Sequence, residues 1–207
     1  MPHSLSCCLI ASPLSMQISL PRLQIIAALT EATGSDRWPD DEAFRSEWCR
    51  KKFYGNLRRN RVLMILRAIE EQYQQQATKS EPVLLFNFDE LEIEHIMPQK
   101  WERHWPLSAV ENARGDREHA LHGIGNLTLV SGKLNPTLSN AAWLDNEKGT
   151  RGKWSALDEH AKLQLNNRLV KNYPKSWDEI TIRKRAVELF EAACSIWPDP
   201  TILAGKQ

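Results

Sequence analysis

The stretch that decides the reading is Leu91-Glu92-Ile93-Glu94-His95-Ile96-Met97-Pro98, answered further along by Gly125-Asn126-Leu127-Thr128-Leu129-Val130 and then by Asn135. Apolar and acidic residues alternate from Leu91 to Glu94, the period of a strand with one face toward a core. Pro98 cannot donate to a ladder and closes the segment. The second stretch reads as another short strand, and Ser131-Gly132 lets the chain turn into a helix starting near Lys133. Strand, strand and helix in that order form a compact unit. At its ends lie a carboxylate, an imidazole and two carboxamides, an economical set for holding a hard cation beside a general base. Strict alternation sends Glu94 and His95 to opposite faces. A site shared by both therefore needs a twist or bulge at the strand end, with the Met97-Pro98 turn as its expected cause.

Working outward, Asp89, Glu90 and Glu92 put further carboxylates ahead of His95 that compete with Glu94 for a ligand role. Before them, residues 77–82 read as a loop and 83–86 as a short strand. Helices are expected upstream at 20–33, from Trp38-Pro39-Asp40-Asp41, where an Asp is available to cap, to about Phe53, and over 57–76, where Val62, Leu63, Leu66, Ile69 and Tyr73 share a face. Downstream, the pattern predicts helices over 108–119, 158–171 and 178–196, the last with Ile182, Arg185, Ala186, Leu189 and Ala193 in a stripe. The glycines of Gly123-Ile124-Gly125 suggest a close backbone approach or a left-handed turn. The fold class is α+β, predominantly helical.

Composition sets the outer limits. A chain of 207 residues with 42% hydrophobic content can bury one sizeable core, and no run approaches the roughly 18 apolar residues that span a bilayer. The reading is one domain at 38–198 with its core at about 88–148, after an extension (1–37) containing one helix and before a tail (199–207). Cys7, Cys8, Cys49 and Cys194 form no CxxC pair, which argues against a zinc ribbon or a disulfide framework and fits a reducing cytoplasm. A net charge of +1 conceals local clustering. Lys51, Lys52, Arg58, Arg59, Arg61 and Arg67 fall in a stretch without acids, and Lys148, Arg151 and Lys153 lie among Trp143 and Trp154. Each group reads either as a surface for a phosphate backbone or as ordinary solvated and packed structure.

The residues Glu94-His95-Ile96-Met97-Pro98, Gly125-Asn126-Leu127-Thr128-Leu129, Leu134-Asn135 and Leu138-Ser139-Asn140 resemble the C-terminal HNH-type domain of the GmrSD-family modification-dependent restriction endonucleases. These are His-Me finger, or ββα-metal, nucleases. The resemblance covers roughly Trp38 to Pro198; the Glu-His-Ile-x-Pro element alone is weak, and joined to the other two it is specific. It implies a ββα-metal core embedded in flanking helices and a metal-dependent DNA endonuclease of prokaryotic restriction and anti-phage defence. His95 is implied as the general base. Glu94 and Asn135 are implied as ligands of one divalent cation, Mg2+ or else Mn2+, with no zinc. Asn126 is implied as the brace that orients the histidine.

His122 is a possible additional contact to phosphate or metal, whereas His104, His119 and His160 read as structural or surface residues. The basic residues Arg58, Arg59, Lys148 and Arg151 are the expected DNA-backbone contacts. The family's usual ParB-like nucleotide-binding domain has no room ahead of Trp38. That implies a separate ParB-like subunit as partner, or a chain that is truncated or begun at the wrong start. The alternative is a catalytically inactive helical DNA-binding or interaction module.

Overall fold

The computed structural model describes residue 31 and residues 38–77, 87–109, 111–138, 140–160 and 162–199. The expected helix at 20–33 and strand at 83–86 lie outside them, apart from Glu31, which is helical. Pro39–Pro198 form one compact unit. Among its described residues, besides a kinked four-residue turn at Phe53–Asn56, are seven helices and two strands: α1 (Asp41–Arg50), α2 (Arg59–Ala77), β1 (Leu91–His95), α3 (Ala113–Leu121), β2 (Leu127–Ser131), α4 (Asn135–Leu138), α5 (Lys153–His160), α6 (Gln164–Asn172) and α7 (Glu179–Ile196). The class is α+β and mostly helical. None of the described helices is long and apolar enough to cross a membrane.

Local signals account for several element ends. Asp40 caps α1 by accepting from the Ala43 amide at 2.8 Å. Asp178 and Thr181 form a reciprocal capping box at the start of α7. Helix α1 stops at Arg50, short of the expected Phe53, because Lys51 is already extended. Helix α3 starts at Ala113, not Ser108, since Asn112 adopts the left-handed conformation.

One element differs in kind from its expectation. The helix read over 158–171 is two helices, α5 and α6, with Leu163 extended ahead of the second. A carboxylate from α2 makes this possible. Glu70 is fully buried, and its two oxygens accept the Gln164 amide at 2.9 Å and the Leu165 amide at 2.8 Å. The first amides of α6, which have no partner inside their own helix, are thereby satisfied from another element.

The strands pair antiparallel in one unbroken register from Leu91 opposite Ser131 to His95 opposite Leu127. Each face of this pair meets its own core. Leu91, Leu127 and Leu129 pack with Trp48 of α1, Val62, Leu66 and Ile69 of α2, and Leu189 and Ala193 of α7. Val130, on the other face by alternation, packs with Leu134, Leu138, Trp143, Ala156, Leu157 and Leu169.

Helix α7 lies so near the start of β2 that a Cβ on Gly125 would come within 2.0 Å of the Ile182 carbonyl oxygen. This is the close approach that the glycine permits. Gly125→Ala is expected to cost about 3 kcal/mol in urea unfolding, because the obstacle is helix backbone rather than a movable side chain. A loss under about 0.5 kcal/mol would show that α7 can shift aside at little cost.

Candidate active site

His95 ends β1 and is 6% exposed. Its ring meets Tyr54 edge-on with centroids 4.5 Å apart and His122 edge-on at 5.5 Å, while Tyr54 stacks on His122 at 5.9 Å. Two backbone contacts bring Tyr54 there: its amide donates to the His122 carbonyl at 3.1 Å, and Lys52 bridges to Gly123. The basic stretch beginning at Lys51 is thus carried past the histidines. Both His95 Nε2 and His122 Nδ1 are buried with no hydrogen-bond partner among the described residues.

Burial holds the His95 imidazole far below the usual histidine range, at about 3, with help from the charges of His122 and Lys153. His122 is pushed down as well, by burial and by Lys52. His95 is therefore neutral throughout the physiological range, as a proton acceptor must be. The sign of the stability effect follows. Its folded value lies below the unfolded one, so the unfolded chain takes up a proton first as the pH drops. Stability is complete above about pH 6.5 and falls toward pH 3 by about 1.4 kcal/mol per unit from this group. Unfolding at a series of pH values should show a shallower acid loss for His95→Gln than for the parent, and parallel curves would refute the burial penalty.

Asn126 faces the other side of the same strand end and is fully buried. Its Oδ1 accepts from the Met97 amide at 2.8 Å and from Trp177 Nε1 at 3.0 Å. Its Nδ2 donates to the Met97 carbonyl at 2.9 Å and to the Leu121 carbonyl at 3.0 Å. Two donors and two acceptor positions are filled, so the carboxamide has nothing left for a ligand. By exchanging bonds with Met97 it continues the ladder one step past the last backbone pair. Arg185 of α7 pins the residues on either side, donating through Nη1 to the Gly125 carbonyl at 2.7 Å and the Leu127 carbonyl at 2.8 Å.

The carboxylates occupy the opposite face from the His95 ring. The expected bulge is absent from the ladder: pairing runs unbroken through Glu94 and His95, and the Ile96 amide still reaches the Asn126 carbonyl at 2.9 Å. Period-two alternation therefore stands through His95, and the chain bends only after it, at Ile96 and Met97. Glu94 Oε1 accepts from Lys153 Nζ at 2.6 Å. Asn135, the first residue of α4, donates through Nδ2 to Glu92 Oε2 at 2.5 Å. The face thus brings Asn135 to Glu92, two residues along from Glu94. Thr128, opposite Glu94, donates to Asn166 Oδ1 at 2.6 Å, which ties the strand to α6.

Among the described residues no three His, Cys, Asp or Glu side chains come together as a metal-holding group. The donors at hand are Glu92, Glu94 and Asn135, all oxygen-bearing and part-buried. Such a set suits a hard cation that keeps several waters and takes one or two carboxylates, and the residues fit in that sense.

The basic residues divide. Arg58 and Arg59 are exposed at the start of α2, whose first turn holds no acid. Lys148 is exposed as well. Arg151 is also on the surface and pairs with Glu159 while donating to the Ser155 carbonyl at 3.1 Å. Arg67 pairs with Asp89 at 3.3 Å and sits over the Phe88 ring. Lys153 is buried, so it leaves the basic surface to which its sequence neighbours assign it. Tyr54, Lys153, Trp177 and Arg185 are the site residues that sequence reasoning missed. The aromatic and basic pattern around them was visible, but the partner of each lies far off along the chain.

The mostly helical α+β unit, with this strand pair and the side chains gathered on it, lies almost wholly within the residues that a known family describes. The chain belongs to the family described as GmrSD restriction endonucleases, C-terminal domain, which matches residues 38–192. No curated protein and no solved structure matches it.

Proposed function

We propose that this domain is a metal-dependent DNA endonuclease of the HNH, or ββα-metal, kind, acting in prokaryotic restriction. The observation that carries the reading is His95: a neutral, buried imidazole with an unpartnered Nε2, held at the end of β1 by a brace at Asn126. A neutral imidazole with a free acceptor nitrogen can take a proton from water, and the negative charge of a phosphate beside it would raise its low proton affinity toward the working range. The carboxylates on the other face fit the same reading. For one phosphate to meet both the base and Glu94, the two faces of β1 must be brought together where the chain bends after His95, at Ile96 and Met97. A cation held by Glu94 and Asn135, Mg2+ foremost and Mn2+ next, supplies charge neutralisation at the leaving oxygen. His122 and Tyr54 shield the base from bulk solvent.

Exposed Arg58, Arg59 and Lys148, with Arg151, offer contacts to the DNA backbone. The cluster at the start of α2 adds positive charge to the positive end of a helix, which a phosphate relieves. Nucleotide dependence and recognition of modified bases are assigned to a separate ParB-like subunit, and the cytoplasm is the compartment of such a system.

The test is cleavage of supercoiled plasmid, unmodified and modified, with Mg2+ or Mn2+ and with EDTA. Nicking that stops in EDTA is expected. Glu94→Ala and Asn135→Ala should both need more metal, with partial recovery in excess Mn2+. Cleavage that continues in EDTA would reject the metal, and a folded chain that cuts neither DNA, with or without the nucleotide-binding partner, would be a binding module instead.

A further inference from the structure

The carboxylate face of the strand pair contains a cation of its own. Lys153, the first residue of α5, is 1% exposed and reaches Glu94 Oε1 at 2.6 Å and the His95 carbonyl oxygen at 2.7 Å. One ammonium group thus holds both the carboxylate that the resemblance assigns to a metal and the backbone of the residue that it assigns as base. Buried ammonium groups persist only with such partners, because losing one leaves an uncompensated charge. Being buried, Nζ cannot touch DNA, so a backbone-contact role is excluded.

A divalent ion drawn to Glu94 would meet this ammonium at the same carboxylate. Two cations sharing a part-buried carboxylate repel each other more strongly than they would in water. We infer that Lys153 is a positioning residue of the site, and that its ammonium group competes with a divalent cation for Glu94. The inference rests on the nuclease reading only in taking Glu94 as a cation ligand. In the ion's absence Lys153 keeps the carboxylate turned toward the strand end and fixes the His95 backbone. With the ion present, the ammonium weakens its hold, so the site binds metal loosely until DNA phosphate adds its own oxygens.

The experiment titrates the whole chain with MnCl2 by calorimetry and records thermal melts in EDTA and in Mn2+. The variants are Lys153→Met, Glu94→Gln and the two combined. Lys153→Met is expected to bind Mn2+ about tenfold more tightly than the parent. It should melt lower than the parent in EDTA and gain more from Mn2+, and the double variant should lose the extra affinity. Equal affinity in parent and Lys153→Met, tightening that survives in the double variant, or no Mn2+ binding by either chain would overturn the inference.

A second measurement avoids the risk that Lys153→Met fails to fold. In the unaltered chain, the NMR signal of the Lys153 ammonium should shift and saturate as Mg2+ is added. A signal unmoved at saturating Mg2+ would overturn the competition. Neither measurement reads cleavage, so a failure of the nuclease reading shows separately, as intact metal binding without plasmid nicking.

Discussion

His95→Ala is expected to lower plasmid cleavage by on the order of 10²- to 10⁴-fold while leaving DNA affinity within about twofold. The expectation has a physical basis in the ring's surroundings. His95 is buried against Tyr54 and His122, with Nε2 unpartnered, and its proton affinity is depressed. A histidine kept for packing alone would gain from a partner for each nitrogen. Alanine removes the acceptor and relieves its desolvation, and the ladder through Asn126 is made by backbone atoms that stay in place. DNA affinity, measured by fluorescence anisotropy, should hold because the exposed arginines are untouched. A variant that cuts at the parent's rate with an unaltered melting curve would remove His95 from the chemistry.

The second large effect is on stability. Asn126→Ala should destabilise the fold by on the order of 4 kcal/mol in urea unfolding. The change strands the Met97 amide and carbonyl, the Leu121 carbonyl and Trp177 Nε1 in one stroke, at a position with no access to water. Trp177→Phe withdraws only one of those donors from the carboxamide and should cost about 1 kcal/mol. The ratio between the two is the informative quantity. Similar losses would mean that Trp177, not the exchange with Met97, is what the carboxamide is there for. An Asn126→Ala loss below about 1 kcal/mol would mean that the strand end does not depend on the carboxamide.

These two residues also show the limits of reading by local pattern. That His95 lies where one strand ends and Asn126 just ahead of the next followed from alternation and from Pro98. The sequence could not say that the Asn126 carboxamide exhausts its bonding capacity on Met97, Leu121 and Trp177. Nor could it show that the ladder would run unbroken, leaving Glu94 and His95 on opposite faces, because a bulge and a straight strand are equally consistent with Glu94-His95-Ile96. Burial of Lys153 was also invisible, since in sequence it is one more cation beside Lys148 and Arg151.

By itself, then, the sequence determined the strand pair, the Asp-capped start of α1, the span of α7, the place of Glu94 and His95 at the end of β1, and the family resemblance. These depend on periodicity, capping side chains and glycine, whose physics acts within a few residues of the chain. Tertiary structure alone decided where the 158–171 segment breaks, which carboxylate meets Asn135, what counterion Glu94 has, and what surrounds the His95 ring. Each of these depends on a partner distant in sequence: Glu70 for the start of α6, Glu92 for Asn135, Lys153 for Glu94, Tyr54 for His95. The free energy of a buried charge or carboxamide depends on which groups close around it. Only the packed chain specifies that set.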